Sequence, residues 1–304
     1  MLQIRNLVKT YPNGVHALKD LSLDVPRGMF GLLGPNGAGK SSLMRTIATL
    51  QAPDTGSIRL GDLDVLADPM AVRRRLGYLP QEFGSYPRTS PWVMLNHLAV
   101  LKGLHSRSER VDQIEALLKQ TNLWDVRRKS IDTFSGGMRQ RFGIAQALLG
   151  APELIIVDEP TAGLDPAERR RFHNLLAEIG ESVIVILSTH IVDDVADLCP
   201  RMAIMGSGRI LLEGAPLELV RALDGQLFRR LCSHEEARAI SARMPVVSTR
   251  MVAGRIEVRV VAGQAPDADF EPVAATVEDL YFHTLATATG EPAAPSSPET
   301  PAAV

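Results

Sequence analysis

Two short stretches of the chain put phosphate chemistry within reach. The first is Gly34-Pro-Asn-Gly-Ala-Gly39-Lys40-Ser41, which fits the spacing G-x-x-x-x-G-K-[ST]. Glycines at these positions let backbone N–H groups turn inward around phosphate oxygens, and a helix starting near Ser41 adds positive potential. In that arrangement Lys40 reaches the β and γ phosphates and the Ser41 hydroxyl ligates Mg²⁺. The second stretch is Asp158-Glu159, directly after the apolar run Leu154-Ile-Ile-Val157. An aspartate there can hold the hydration shell of Mg²⁺, and the adjacent glutamate is placed to polarise an attacking water. Taken alone, an acidic pair after a strand is a solvated turn. Beside the glycine loop, the chemical reading is the stronger one.

These residues need elements to aim them. Met29-Phe30-Gly31-Leu32-Leu33 runs into the glycine loop, and Val183-Ile-Val-Ile-Leu187 runs into Ser188-Thr189-His190. Apolar runs without polar alternation suit strands buried on both faces of a parallel sheet. In all three cases the polar residues follow the C-terminal end of the strand, where open α/β sheets bind ligands. Residues 92–150 lack such runs and read as helical. Arg110 to Gln120 places Val111, Ile114, Leu117 and Leu118 on one face. The expectation is an α/β phosphate-loop NTPase domain over residues 1–222, with a helical subdomain inserted at about 85–150. Residues 225–287 read as strand (226–232), helix (235–243), two strands (246–252 and 255–261) and a final helix (277–285), a small α+β domain. The end, 288–304, carries four prolines and reads as a disordered tail.

Composition narrows the class. The 304 residues carry 33 basic and 35 acidic side chains, a net charge of −2, so no basic footprint favours nucleic acid as the main partner. Apolar residues make up 45% and charged residues 22%, an ordinary globular balance. Two cysteines, Cys199 and Cys232, have no metal-type spacing and read as reduced thiols. No stretch approaches the roughly 18 apolar residues of a membrane span. The start, Met-Leu-Gln-Ile-Arg-Asn-Leu, alternates like a strand and lacks the apolar run of a signal peptide. The expectation is a soluble, intracellular protein that needs another chain to cross any membrane it serves.

With both phosphate-site stretches in place, the sequence closely resembles the ATPase subunit of ATP-binding cassette (ABC) transporters over roughly residues 1–222. Tyr11, before the Asn13-Gly14 turn, resembles the aromatic that stacks on adenine. Gln81, in Gly77-Tyr-Leu-Pro-Gln81, resembles the glutamine that touches Mg²⁺ and links to the helical subdomain. Phe134-Ser-Gly-Gly-Met138-Arg-Gln-Arg141 resembles the signature loop. Ala162-Gly-Leu-Asp165 resembles the loop that crosses the dimer interface, and His190 the histidine that senses the γ-phosphate. Individually these are weak signals. Tyr11 alone reads as a packing aromatic, Gln81 as a solvated side chain, and Asp165 before Pro166 as a helix N-cap with proline at N1. Their order and spacing make the resemblance specific.

The resemblance implies ATP and Mg²⁺ as ligands. It assigns nucleotide binding to Tyr11, Gly34, Pro35, Asn36, Gly37, Ala38, Gly39, Lys40, Ser41 and Ser42, with Ser135, Gly136, Gly137 and Asp165 acting from a second subunit. It assigns Mg²⁺ to Ser41, Gln81 and Asp158, and catalysis to Glu159 as general base with Lys40 and His190. A chain with one phosphate loop and one signature loop needs a second ATPase subunit, an identical copy favoured over a paralogue. It also implies a membrane permease at the inner face of the cell membrane, with no nucleic acid involved. The signature departs from the family at Met138, where glutamine is usual. The hydroxyl and backbone amides for anion binding remain, so Met138 is expected to tune affinity without abolishing activity.

Val277-Glu-Asp-Leu280-Tyr-Phe282 resembles the C-terminal stretch of exporter ATPases of the bacitracin- and daunorubicin-resistance type, while a plain amphipathic closing helix reads equally well. Phe83, Tyr86 and Trp92 could line a groove for a permease helix or pack the helical subdomain's own core. The other function class is a soluble ABC ATPase acting on ribosomes or DNA. The soluble types carry paired cassettes, coiled coils or basic stretches that this sequence lacks.

Overall fold

A computed structural model describes residues 1–81, 88–161 and 164–289. It divides into two compact units, residues 1–210 and 211–304. The division falls ahead of the composition change near 222, because the mixed sequence of 211–222 carries no local mark of which unit it packs with.

In chain order the first unit runs β1 (Leu2–Thr10), β2 (His16–Val25), β3 (Gly28–Leu33), α1 (Lys40–Ile47), β4 (Thr55–Leu60), β5 (Leu63–Asp64), α2 (Pro69–Arg75) and β6 (Leu76–Leu79). Three helices follow, α3 (Pro91–Leu101), α4 (Arg107–Gln120) and α5 (Gly136–Leu148). The chain then returns through β7 (Leu154–Asp158), α6 (Pro166–Gly180), β8 (Ile184–Thr189), α7 (Val192–Leu198) and β9 (Arg201–Gly206), and β10 (Arg209–Gly214) runs across the division at residue 210. Two sheets result, a four-stranded one in the order β2-β1-β4-β5 and a six-stranded one in the order β10-β9-β3-β8-β7-β6.

The second sheet sets the site. β7 and β8 are buried at every position, as their unbroken apolar runs require. β3 pairs in parallel with β8, and β8 with β7, so Leu33 lies beside Thr189 and Asp158 beside Ser188. The three strands that precede the glycine loop, the acidic pair and His190 therefore end side by side at one edge. The first sheet is antiparallel, and β2 alternates buried and exposed positions as a one-sided sheet does.

The inserted helices share a separate core of Leu95, Ile114, Leu118, Leu123, Phe134 and Phe142, all buried. Serines cap all three. Ser90, Ser106 and Ser135 each accept a hydrogen bond from the backbone N–H three residues on, and Pro91 holds the first turn of α3. Val111 is half-buried and Ile114, Leu117 and Leu118 are buried, the face that their spacing predicts. Trp92 belongs to this core: its ring meets Trp124 edge-on at 6.2 Å, and the Arg127 guanidinium lies 3.9 Å from the Trp124 ring centre. Of the two readings of Trp92, core packing is the one observed; Phe83 and Tyr86 lie outside the described residues.

The second unit contains α8 (Pro216–Val220), β11 (Leu227–Cys232), α9 (His234–Ser241), β12 (Val246–Val252), β13 (Arg255–Val261), β14 (Glu271–Pro272) and α10 (Val277–Thr289). Its strands form one antiparallel sheet in the order β12-β13-β11-β14. A full capping box starts α9, Ser233 with Glu236. The tail from 290 lies outside the described residues. Among the described residues no helix is long and apolar enough to cross a membrane.

Candidate nucleotide site

The loop after β3 is held open by its glycines. Gly37 and Gly39 have φ of +81° and +103°, the left-handed region that side chains disfavour. A Cβ on Gly34 would stand 2.6 Å from the Met205 carbonyl oxygen. Gly39 is the N-cap of α1, and no side chain caps that helix start. The loop and α1 thus present an anion cradle with unblocked amides behind it.

Lys40 closes the cradle from inside. It is 6% exposed, and its ammonium donates to the Gly34 carbonyl at 2.5 Å and the Pro35 carbonyl at 3.3 Å. Burial pulls its pKa below the usual lysine value, while the facing Glu159 and Asp158 carboxylates push the other way. Its Nζ is 3.7 Å from Glu159 Oε1. Glu159 is buried, and its backbone holds φ at +51°, unusual for a side chain of this size. Its amide donates to the Ser188 carbonyl across the β7–β8 junction at 2.8 Å. Its other carboxylate oxygen, Oε2, lies 2.6 Å from His190 Nδ1. A carboxylate oxygen only accepts, so Nδ1 carries the hydrogen and Nε2 is left for another partner.

Asp158 is the least satisfied member. Burial raises its pKa, and Oδ1 has no hydrogen-bond partner. A buried, unpartnered carboxylate oxygen beside a phosphate cradle fits a divalent cation. Tyr11 reaches the loop from the first sheet: its hydroxyl lies 3.0 Å from Ser42 Oγ and donates to Gln51 Oε1 at 3.0 Å.

Tyr11, residues 34–42, Asp158, Glu159 and His190 therefore gather at the strand ends. Gln81 is exposed just past β6, the neighbour of β7. Ser135, Gly136 and Gly137 stand apart at the start of α5, where Ser135 and Gly136 are exposed. Met138 packs partly into the helical core, so its side chain serves the subdomain. Asp165 caps α6 by accepting from the Glu168 amide at 2.9 Å, with Pro166 at the first position. Ala162 and Gly163 lie outside the described residues.

Several contacts had no sequence signal. Asp194 accepts from Thr161, Arg169 and His173, and Glu168 pairs with Arg141. On helices such residues read as solvated charge, and only the fold brings them together.

The family model for ABC transporters matches residues 18–162. The daunorubicin/doxorubicin resistance ATP-binding protein DrrA of Streptomyces peucetius is 35% identical over 249 residues, 80% of this chain and 74% of that protein. The phosphonates import ATP-binding protein PhnC of Chromohalobacter salexigens is 38% identical over 233 residues, 72% of this chain and 86% of that protein. Among solved structures, a dimeric ATP-binding cassette in a post-hydrolysis state with ADP and Pi aligns at TM-score 0.64 and 25% identity, over 71% of this chain and 98% of that one. Together with the strand-end site, these matches make the chain a member of the ABC transporter family, an ATP-binding subunit whose family activity is ATP hydrolysis.

Proposed function

We propose that this chain is the ATP-hydrolysing motor subunit of an exporter whose membrane permease is a separate protein. The observation that carries the reading is the Lys40–Glu159–His190 arrangement at the ends of three adjacent parallel strands. Glu159 is the general base. It retains acceptor capacity beyond its contacts with His190 and Lys40, enough to take a proton from water. Its left-handed backbone aims the carboxylate back over the strand ends. Lys40 and the loop amides stabilise charge developing on the phosphates. His190 can meet the γ-phosphate through Nε2 while Nδ1 faces Glu159, a contact in which Nε2 donates only when both ring nitrogens carry hydrogen. Asp158, Ser41 and Gln81 would hold Mg²⁺, which supplies charge neutralisation between the phosphates.

Ser135, Gly136, Gly137 and Asp165 act in trans. In the dimer, the signature loop of one chain closes over ATP held by the other. ATP that binds only the closed pair stabilises it, and loss of the γ-phosphate contact releases it. Identical chains suffice for this. The dimeric state of the ADP- and Pi-bound relative supports the reading.

Two features support a permease partner. A groove of about 580 Å³ in the first unit is walled by Leu50, Met70, Val100 and Leu101, all exposed. Arg73, Arg74 and Lys102 rim it, and no carboxylate lines it among the described residues. An apolar groove with a cationic rim suits an amphipathic permease segment bearing carboxylates. Export is supported by the drug-resistance relative, whose match covers 80% of this chain and so extends beyond residue 210.

The test is co-purification of Glu159→Gln from its native host in mild detergent, with and without Mg-ATP. Recovery of a multi-span membrane protein is expected. Recovery of ribosomal or DNA-associated proteins, with the chain absent from membranes, would contradict the transporter reading.

A further inference from the structure

Residues 51–54, a short segment beyond α1, grip the end of β1. The Asp54 amide donates to the Val8 carbonyl at 2.8 Å, and its carboxylate accepts from the Thr10 amide at 2.6 Å. The Lys9 ammonium lies 3.3 Å from the same carboxylate. Past Thr10 the chain turns at once. The Tyr11 amide donates to the Val15 carbonyl and the Gly14 amide to the Tyr11 carbonyl, each at 2.9 Å. The Tyr11 backbone is thus fixed on both sides.

Gln51 fixes the ring. Its side-chain nitrogen has two hydrogens, one given to the Ser42 carbonyl at 2.9 Å and one to Thr46 Oγ1 at 3.0 Å. Thr46 Oγ1 can accept, because its own hydrogen goes to the Ser42 carbonyl at 2.7 Å. Only the acceptor end of Gln51 is left for the Tyr11 hydroxyl, 3.0 Å away. The Tyr11 hydrogen therefore points to Gln51, and Ser42 Oγ is the donor in its 3.0 Å contact with the same hydroxyl. Ser42 stands in the first turn of α1, beside the phosphate loop, so the far end of the ring is tied next to the cradle. The rest of the half-buried Tyr11 ring is left open to one side. A flat ring beside an anion cradle offers a stacking surface for a base. A ring already held at its hydroxyl need not be ordered when the base arrives.

We propose that Gln51 is a positioning residue of the nucleotide site, which holds the Tyr11 ring for the base and takes no part in phosphate chemistry. The inference rests on the ATP site proposed above. Its action runs through the Tyr11 hydroxyl alone, so it affects ligands that carry a base and spares those that carry only phosphates.

The experiment uses the full chain. Binding of Mg-ATP and of inorganic tripolyphosphate, which has phosphates and no base, is measured for wild type, Gln51→Leu, Tyr11→Phe, their double variant and Tyr11→Ala. Thermal melting and steady-state ATPase rates are recorded alongside. Gln51→Leu is expected to weaken Mg-ATP about 2- to 12-fold, the net weight of one hydrogen bond, and to raise KM while kcat holds. Its tripolyphosphate affinity is expected to match wild type. Tyr11→Phe keeps the ring and loses the tether, so it is expected to weaken Mg-ATP by a similar factor. The double variant is expected to lose no more than Tyr11→Phe alone. Equal losses for Mg-ATP and tripolyphosphate place the effect in α1 and overturn the inference. Losses that add in the double variant, an unchanged Gln51→Leu, or a loss that tracks a lowered melting temperature overturn it too. In each of those cases Tyr11→Ala still weakens Mg-ATP selectively, and the ATP site stands. A Tyr11→Ala chain that binds Mg-ATP like wild type overturns the stacking role and the inference with it. A wild type that binds no Mg-ATP overturns the function proposed above as well.

Discussion

Two clusters of buried charge, one in each unit, are satisfied to opposite degrees. At the strand ends of the first unit, Lys40, Asp158 and Glu159 are buried, yet Asp158 Oδ1 has no partner and the Lys40 ammonium rests largely on loop carbonyls. Burial drives the Lys40 pKa down and the Asp158 pKa up, each towards its neutral form. In the second unit, Glu257, Arg259 and Asp279 are equally buried. There Glu257 accepts from Arg259 and Arg250 at 2.8 Å each, and Asp279 accepts from Arg259 at 2.8 Å and from the Thr276 hydroxyl at 2.7 Å. Burial pushes Glu257 up as well, but its two arginine bonds outweigh that and bring its pKa below the usual range. Two carboxylates and one cation, sealed from water, thus fasten α10 to its sheet in one unit and stand incomplete in the other. Incomplete buried charge marks a place kept for a charged ligand.

The comparison can be broken by experiment, most sharply at Glu159. Glu159→Gln should slow ATP turnover about 10²- to 10⁴-fold, the usual contribution of a general base, while nucleotide binding by fluorescence titration persists. An effect below tenfold would place the base elsewhere. Next, Asp279→Asn should destabilise the second unit by about 1.5–3 kcal/mol in urea unfolding, because Arg259 loses one charged hydrogen-bond partner while keeping Glu257. If this substitution proves neutral, the second cluster is not a fastening.

A third variant sharpens the comparison with a half-buried cation that no carboxylate pairs among the described residues. Lys102 donates to the Leu76 and Leu149 carbonyls at 3.0 and 2.6 Å, and burial lowers its pKa to about 8. The folded state holds this proton less tightly than the unfolded chain, whose lysine titrates near 10.5. The penalty is complete below pH 8 and is relieved as pH rises through the folded value. Wild type should therefore gain about 1 kcal/mol over Lys102→Met between pH 7 and 9 in denaturant melts. A flat difference would refute the assignment. The smallest effect belongs to exposed charge. Glu115 and Lys119 pair at 2.7 Å one turn apart on α4, and Glu115→Gln should cost only about 0.3–0.5 kcal/mol in the same assay, less in high salt.

Sequence reached the parts of this molecule that are locally encoded. The three apolar runs declare strands buried on both faces, and the polar residues following each run sit where such a sheet exposes its strand ends. The α4 face follows from four spacings, and three strands and two helices of the second unit from short alternating segments, whereas their antiparallel order does not. What sequence could not carry depends on pairings across the fold. Trp92 finds Trp124 only after α3 and α4 pack. Arg169 and Asp194, Glu168 and Arg141, and Arg259 and Asp279 are all charges at helix or strand positions that ordinarily face water. The left-handed backbone of Glu159 has no sequence mark either, since no glycine or asparagine announces it. Asp165 shows the limit from the other side: its capping role is visible in sequence and in structure alike, and neither excludes a second role across a dimer interface.

The most direct test of the account is the molecular mass of Glu159→Gln by light scattering, with and without Mg-ATP. A site whose unsatisfied charge is completed by nucleotide and a second chain predicts a monomer that doubles in mass on Mg-ATP and stays single on Mg-ADP. A monomer under both nucleotides, with ATP demonstrably bound, would contradict it.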